Sequence, residues 1–507
     1  MTERRSKGEK PPVLGQTGQS ETRRKRGAGG APGLHPDPPP STERGQRLRT
    51  PERRPSAREV ALRLLTRIEQ EAAYANLALG DWLNRSGVTG PDRGLATELV
   101  YGGLRHRLTL DWVIDQFSTT PTAKMTPWIR NILRQGVYQL LFLDRIPVNA
   151  AVSESVELAK RFGHPGTVRL VNAVLRGISR SKGTINYPDV KQEPVRHISV
   201  RYSHPEWMVQ RWLGQFGLEG TIALCQTNNR APDLFLRCNT LKVKPEELMP
   251  VLSEQGVKTE PAQLAPEGLK VVEGRLAVEE LPSFGGGLFT VQGESSMLVG
   301  YAVKPRPGST AVDCCSAPGG KTTHLAQLMQ NHGRVYAFDI HPHRLGLVKD
   351  ACRRLGIDIV ETFMADAREL PEWLDGKADA VLVDAPCSGL GVLRGRPDAR
   401  WRKEPADLEQ LPSLQLAILD RAAGCVCPGG VLVYSTCSIA PEENNGVIER
   451  FLKGHPEFTA DNLLPFLPFS PERPEDRHTA AEGWIQLLPH IHGTDGFFIC
   501  RLKKAAT

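Results

Sequence analysis

The sequence predicts an all-helical domain over residues 56–180, a helical and small α+β connecting subdomain over 196–291, and an α/β domain over 292–504 with a mostly parallel sheet. Apolar residues recur at helical spacing from Ser56 onward, with no alternating stretch before residue 180. From residue 310, short apolar runs are separated by helix-length intervals, the pattern of βαβ units. The length of 507 residues suits about three domains of roughly 150 residues.

Residues 1–55 hold nine Pro, eight Gly and no aromatic residue, a composition that reads as a disordered tail. They carry thirteen basic and six acidic residues, so the whole net charge of +7 lies there and the rest balances to zero. Such an arm could touch phosphates. No apolar run follows the charged start, and none reaches the roughly 18 residues of a membrane span, which argues against a signal peptide or a membrane helix. All ten Cys lie beyond residue 224 and form no CxxC pair. A disulfide scaffold is excluded, and Cys425 with Cys427 lacks a matching pair, so no metal is expected.

Ser56 with Glu59 makes a capping-box pattern ahead of Val60, Leu64, Leu65 and Ile68. Further helices are predicted near 72–84, 91–106, 109–117, 126–143, 148–162 and 166–179, with Pro127 and Pro147 placed for helix starts. Residues 181–195 read as a linker. A helical stretch over 196–230 precedes a short strand at Leu234–Leu236, a helix over 245–255 and strands over 269–273, 276–280 and 288–291. The α/β part is predicted to hold strands 310–315, 334–339, 357–363, 379–384, 430–435, 484–488 and 496–501, the last two as an antiparallel pair.

The first of these strands opens onto Cys315-Ser316-Ala317-Pro318-Gly319-Gly320-Lys321, a loop that lets backbone approach a ligand. It lacks GxGxxG, and residue 315 is Cys where a Walker A loop needs Gly. A nucleoside without phosphates to neutralise is the remaining class, and it predicts acids at the next strand ends. Asp339 can bind ribose hydroxyls, and Asp366 can reach an adenine amino group. S-adenosylmethionine fits this array.

Two further strands end in Asp384-Ala385-Pro386-Cys387 and Thr436-Cys437. Carbon 5 of cytosine is too weak a nucleophile to attack a sulfonium methyl. A thiolate adding at carbon 6 activates it, an acid near ring nitrogen 3 stabilises the charge, and a base must then remove the carbon 5 hydrogen. Asp384, Cys387 and Cys437 supply these parts.

The runs DCCSAPGGKTTHLA, VDAPCSGLGVLRGRPDARWR and GGVLVYSTCSIAPEENNGVIERFL resemble the RNA 5-methylcytosine methyltransferases of the Sun/Fmu (RsmB-like) type. NAAVSESVELAKRFG and TVRLVNAVLRGISR resemble the NusB-like RNA-binding domain that precedes the catalytic part in the bacterial small-subunit rRNA enzyme of this type. RYSHPEWMVQRW resembles its connecting segment and DGFFICRLKK its last strand, so the likeness covers about 56–504. It implies a Rossmann-like class I methyltransferase domain. It implies Cys437 as covalent nucleophile, Cys387 as the group that releases product, and Asp384 as a contact of the target cytosine. Cys315–Lys321, Asp339, Arg344, Asp366 and Asp384 become the S-adenosyl-L-methionine contacts. Cys314, Cys315 and Ser316 depart from the usual Leu-Cys-Ala, keeping size. The implied target is the cytidine at position 967 of 16S rRNA, free or in an assembly intermediate, in the cytoplasm and with no obligate protein partner.

Arg394, Arg396, Arg400, Trp401, Arg402 and Lys403 follow the Asp384 loop and suit phosphate contact and base stacking. Pro441–Asn444 suits a helix start that positions the Cys437 loop. Lys321 is expected to hold the loop through Asp384. The competing readings are the same chemistry on tRNA or another rRNA site, and a non-catalytic RNA-binding assembly factor.

Overall fold

The computed structural model describes residues 55–71, 75–181, 184–274 and 280–506. The tail read over 1–55, Pro55 aside, lies outside them. Seven helices follow: Ala57–Glu71, Ala75–Ser86, Gly90–Arg105, Arg107–Phe117, Pro127–Phe142, Val148–Phe162 and Pro165–Arg180. The first forms half of the expected capping box. Glu59 N donates to Ser56 Oγ (3.3 Å), but the Glu59 carboxylate is engaged by Arg63 and Arg161 instead of returning to Ser56. Pro127 opens one helix and Pro147 caps another, as their fixed φ favours. Val60, Leu64, Leu65 and Ile68 pack in one core with Leu99, Leu133 and Val137.

Residues 184–193 form neither helix nor strand. The helical stretch expected over 196–230 is broken into Pro194–Tyr202 and Glu206–Asn228, and the second is itself interrupted at Gly217 (φ 67°). Ser203 takes a left-handed backbone (φ 59°), and Pro205 lacks the N–H needed to continue the turn. Strands β1 (Phe235–Cys238), β2 (Lys258–Pro261), β3 (Gly268–Glu273) and β4 (Phe289–Val291), with the helix Pro245–Glu254, form the small α+β part. The sheet order is β2-β3-β1-β4. β2 was not foreseen, because an exposed edge of Lys, Thr, Glu and Pro carries no apolar alternation. The strand expected over 276–280 lies, apart from Glu280, outside the described residues.

The main sheet contains β5 (Thr310–Asp313), β6 (Arg334–Asp339), β7 (Val360–Met364), β8 (Ala378–Asp384), β9 (Val426–Thr436), β10 (Phe458–Ala460), β11 (Trp484–Leu487) and β12 (Phe497–Lys504). Its order is β10-β12-β9-β8-β5-β6-β7, with β11 on β12. β5 to β9 run parallel, and β11 and β12 form the expected antiparallel pair. β10 was missed because three residues are too few to show a period. The chain winds outward from β5 through β6 and β7, then returns to β8 on the other side of β5. Such a reversal opens a crevice at the strands' carboxyl ends, where ligands bind in open α/β sheets. Among the described residues no helix is long and apolar enough to cross a membrane.

The loop after β8 reaches back to the helical domain. Arg400 is fully buried and donates to the carbonyls of Arg105 (3.1 Å), Ser203 (3.0 Å) and Asn228 (3.1 Å) and to Asn229 Oδ1 (2.9 Å). Trp401 Nε1 donates to Leu104 O (2.7 Å), and Asp398 accepts from Ala75 N (3.3 Å). Burial pushes the Arg400 guanidinium down to about 9. The expectation that Arg400 contacts RNA is thereby corrected, since its guanidinium joins the helical and connecting parts to the catalytic loop, while Trp401, expected to stack on a base, is half-buried with its indole N–H held by the helical domain.

Candidate active site

The crevice is built by five strand ends, those of β5 to β9. After β5, Asp313 accepts from Thr322 Oγ1 (2.7 Å) and Cys315 N (3.3 Å), which fixes the turn. Burial, helped by the nearby Asp384 charge, pushes Asp313 up to about 7. Gly319 adopts φ +106°, a region L side chains rarely enter, and a Cβ there would press on Val348 at 3.2 Å. Arg344 Nη2 donates to Ala317 O (2.9 Å) while its Nη1 stands 3.4 Å from Asp339 Oδ2. Asp339 Oδ1 accepts from His341 N (2.9 Å).

The Ser316 hydroxyl is buried without a partner. An orphaned hydroxyl beside a Gly turn and an acid at the next strand end is what a nucleoside site offers, so the cradle fits S-adenosylmethionine. Cys315 to Gly319 form the turn between β5 and the helix Gly320–Leu328. Asp366 is less open. Both of its oxygens accept from Arg368 (3.0, 3.2 and 2.6 Å), so an adenine amino group would have to share them.

Cys387 and Cys437 meet across the ends of β8 and β9, with Sγ to Sγ at 3.3 Å. Asp384 lies beside them, bound to Lys321 Nζ through Oδ2 (2.8 Å) and to Ser435 Oγ through Oδ1 (2.9 Å). The two thiols are driven apart. Donation from the Cys387 S–H holds Cys437 below the usual thiol range, with Lys321 and Arg396 adding to the effect against burial and Asp384. Cys387 is pushed well up, by the same hydrogen bond and by burial. Cys437 is therefore the thiol biased toward the thiolate, and Cys387 the one biased toward its protonated form. The pH profile of iodoacetamide alkylation at Cys437, followed by peptide mapping, is expected to have its midpoint below the ordinary thiol value of about 8.5. Cys387→Ala should shift it upward, because the largest lowering contribution is gone.

Pro441–Glu443 forms a 3-10 turn, and the helix proper runs from Asn445 to Gly454. Glu443 is fully buried and ties the two Cys loops together. It accepts from Ser388 N (2.7 Å), Ser388 Oγ, Ser438 Oγ (2.5 Å) and Gln415 Nε2 (3.0 Å). Asn444 accepts from Thr436 Oγ1 (2.6 Å) and donates to Ser438 O (3.1 Å). Residues after each Cys are thus clamped to one carboxylate, the positioning role expected of this segment. Gly391 and Gly496 complete the frame. Gly391 N donates to Cys437 O (2.9 Å), Gly496 N donates to Gly391 O (2.9 Å), and a Cβ on Gly391 would lie 2.1 Å from Gly496 O.

The remaining basic residues separate by environment. Arg396 is exposed, and its charge acts on Cys437. Arg394 is buried between Asp233 and Asp495, each at 3.7 Å, and so does not face solvent as an RNA-contacting residue would. Arg402 pairs with Asp398 at 3.5 Å. Lys403 is half-buried. Trp401 and Arg402 line a cavity of about 180 Å³ with Arg107, Arg134 and Glu69 of the helical domain.

Arg237 was not singled out by sequence reasoning. It is buried on β1 and reaches across to the cofactor loop, donating to Gly320 O (2.6 Å), Thr323 Oγ1 (3.0 Å) and Gln292 Oε1. A lone Arg inside the four-residue run Phe235-Leu236-Arg237-Cys238 is the signal that could have found it.

The family model described as 16S rRNA methyltransferase RsmB/F matches residues 300–503, the NusB family matches 55–180, and an RsmF/B-like ferredoxin-like domain matches 204–279. The chain is 40% identical to the probable ribosomal RNA small subunit methyltransferase B of Bacillus subtilis, over 89% of this chain and 99% of that one. It is 38% identical to the protein of the same description from Synechocystis, over 89% and 100%. Among solved structures, PH0851 superposes with a TM-score of 0.74 at 31% identity, over 88% of this chain and 99% of that one. NSun6 from Pyrococcus horikoshii, solved with SFG, gives 0.53 at 25% identity, over 60% and 98%.

Proposed function

The chain belongs to the RsmB/F family of 16S rRNA methyltransferases, and on that premise we propose that it methylates carbon 5 of one cytidine in 16S rRNA, at position 967, through a covalent bond between Cys437 and the base. It is a 5-methylcytosine rRNA methyltransferase in general character, with an S-adenosylmethionine-binding fold and a NusB-like RNA-binding domain. The observation that carries the finer reading is the 3.3 Å Cys387–Cys437 pair beside Asp384.

S-adenosylmethionine supplies an electrophilic methyl on sulfur. Cys437 Sγ adds to carbon 6 as thiolate, and the ring electrons pass to carbon 5, which takes the methyl. Ring nitrogen 3 takes a proton from solvent as Cys437 adds and releases it on elimination, and the Asp384 carboxylate, held by Lys321 Nζ, is placed to accept a hydrogen bond from that N–H. Once Cys437 has bonded to carbon 6 it no longer accepts the Cys387 S–H, and Cys387, after giving that proton to solvent, takes the carbon 5 proton while the Sγ–carbon 6 bond breaks and returns its electrons to Cys437. The base must be unpaired or flipped for a thiol to reach carbon 6. The contacting cradle is Ser316 to Lys321 with Asp339 and Arg344, and Asp366 contributes if Arg368 yields one lone pair.

The test is methylation of protein-free 16S rRNA, assembled small subunits and bulk tRNA by the full chain, with modified positions read by bisulfite sequencing. A single new 5-methylcytosine at 967 on free rRNA is expected. Modification of tRNA alone, or of a different rRNA cytidine, would replace the target. No modification of any RNA that the chain nevertheless binds would leave the assembly-factor reading. The cytoplasm is the compartment where unassembled bacterial rRNA would be met.

A further inference from the structure

From Cys387 to Lys403 one residue is exposed, Arg396, and every other is buried or half-buried. The loop is folded inward and held at many points. Gly391 N donates to Cys437 O, and both Gly395 N (3.2 Å) and Arg396 N (3.1 Å) donate to Val392 O. Ala399 N donates to Arg396 O (3.0 Å). Arg394, Asp398 and Arg400 on either side are buried against Asp233, Ala75 N and Arg105 O. A firmly held loop that carries Cys387 and bonds the backbone of Cys437 therefore presents a single side chain outward.

That side chain is an uncommitted cation. Among the described residues the Arg396 guanidinium has no hydrogen bond, ion pair or ring partner. The carboxylates of this rim are matched to other cations: Asp384 to Lys321, Asp495 to Arg394 and Asp233 to Lys270. The Arg396 charge nevertheless reaches the reaction centre, where it lowers the Cys437 thiol.

The chemistry of the substrate says which anion such a cation would meet. In the usual anti conformation of a pyrimidine nucleotide, carbon 6 lies on the ring edge that faces the nucleotide's own 5′ phosphate. A thiolate adding to carbon 6 is thus brought close to that phosphate. Two anions side by side repel, and a cation shared between them offsets the repulsion. Arginine suits the place, since its planar donors meet two phosphate oxygens at once.

We propose that Arg396 binds the 5′ phosphate of the target cytidine itself and so sets carbon 6 over Cys437 Sγ. The inference rests on the function proposed above, and the experiment separates the two. Arg396→Gln and Arg396→Lys are made in the full chain, where exposure of the side chain leaves the packing of the loop intact. Affinity for a 16S rRNA hairpin spanning the proposed target is first read against salt, which needs no methylation. The log–log slope should shrink by roughly 0.7–0.9 in Arg396→Gln, the loss of one phosphate contact, and be kept in Arg396→Lys. S-adenosylmethionine affinity should be unchanged in both. A hairpin that shows this change but is never methylated strikes the reaction and not the contact. The phosphate is then identified with hairpins carrying one neutral methylphosphonate, read by single-turnover methylation or, where no methyl is transferred, by affinity. At the linkage 5′ to the target, wild type should lose about tenfold or more, while Arg396→Gln loses nothing further. At the linkage 3′ to the target the two losses should multiply. An unchanged salt slope in Arg396→Gln overturns the proposal. So do losses that multiply at the 5′ linkage, which would leave Arg396 as a charge acting on Cys437 alone.

Discussion

Cys387→Ala protein mixed with unmethylated 16S rRNA and labelled S-adenosylmethionine will accumulate a labelled protein–RNA band on a denaturing gel, and Cys387→Ala/Cys437→Ala will not. The reasoning starts from the 3.3 Å thiol pair. Cys437 is held toward thiolate chiefly by the Cys387 S–H, so it attacks first. Removing Cys387 weakens that support but leaves a nucleophile, while it deletes the group placed to accept the carbon 5 proton. Addition and methyl transfer then continue, and elimination stalls with the base attached. Loss of one acid–base group costs about 10²–10⁴-fold in turnover. Loss of the nucleophile in Cys437→Ala should cost on the order of 10⁴-fold or more, because removing such a residue disables the whole unit. RNA affinity in Cys437→Ala should remain close to wild type, as the helical domain is untouched. A band that persists in the double variant would place the attack on another residue. A turnover-competent Cys387→Ala that forms no band would reverse the assignment of the two Cys.

Much of this site was legible in the sequence because its parts stand at strand ends. Asp313, Asp339, Asp384, Cys387 and Cys437 each close or follow an apolar run, and open α/β sheets gather such positions into one crevice. The antiparallel β11–β12 pair was readable from two closely spaced apolar runs. The strands that escaped notice are β2 and β10, one an exposed polar edge and the other three residues long. Neither has a period to read.

Contacts between parts distant in sequence were also hidden. The run of basic residues after Asp384 looks uniform, yet Arg400 is buried against four acceptors from the helical and connecting parts, while Arg396 is exposed. Composition cannot separate the two, because burial of an Arg depends on which carbonyls the fold brings to it. Arg237 is similar, a strand residue whose partners at Gly320 and Thr323 lie more than 80 positions away.

Lys321→Ala and Asp384→Asn will shift the Cys437 titration in opposite directions although the two side chains are bound to each other. Lys321 lowers the Cys437 thiol and Asp384 raises it. Deleting the cation should therefore move the alkylation midpoint up, and neutralising the carboxylate should move it down. If thiolate supply governed the reaction, Asp384→Asn would be the faster enzyme. It is expected instead to be slower by about 10²–10³-fold, the usual cost of losing a group aimed at developing charge, because the base loses its contact at the ring-nitrogen edge. Lys321→Ala should be slow as well, through a misplaced Asp384, since its Nζ holds that carboxylate at 2.8 Å. Residues acting through one another are not additive, so the double variant should be about as slow as Asp384→Asn alone. Measured single-turnover rates that multiply in the double variant would show that Lys321 contributes independently. A Lys321→Ala enzyme with wild-type turnover and cofactor affinity would remove it from the machinery altogether.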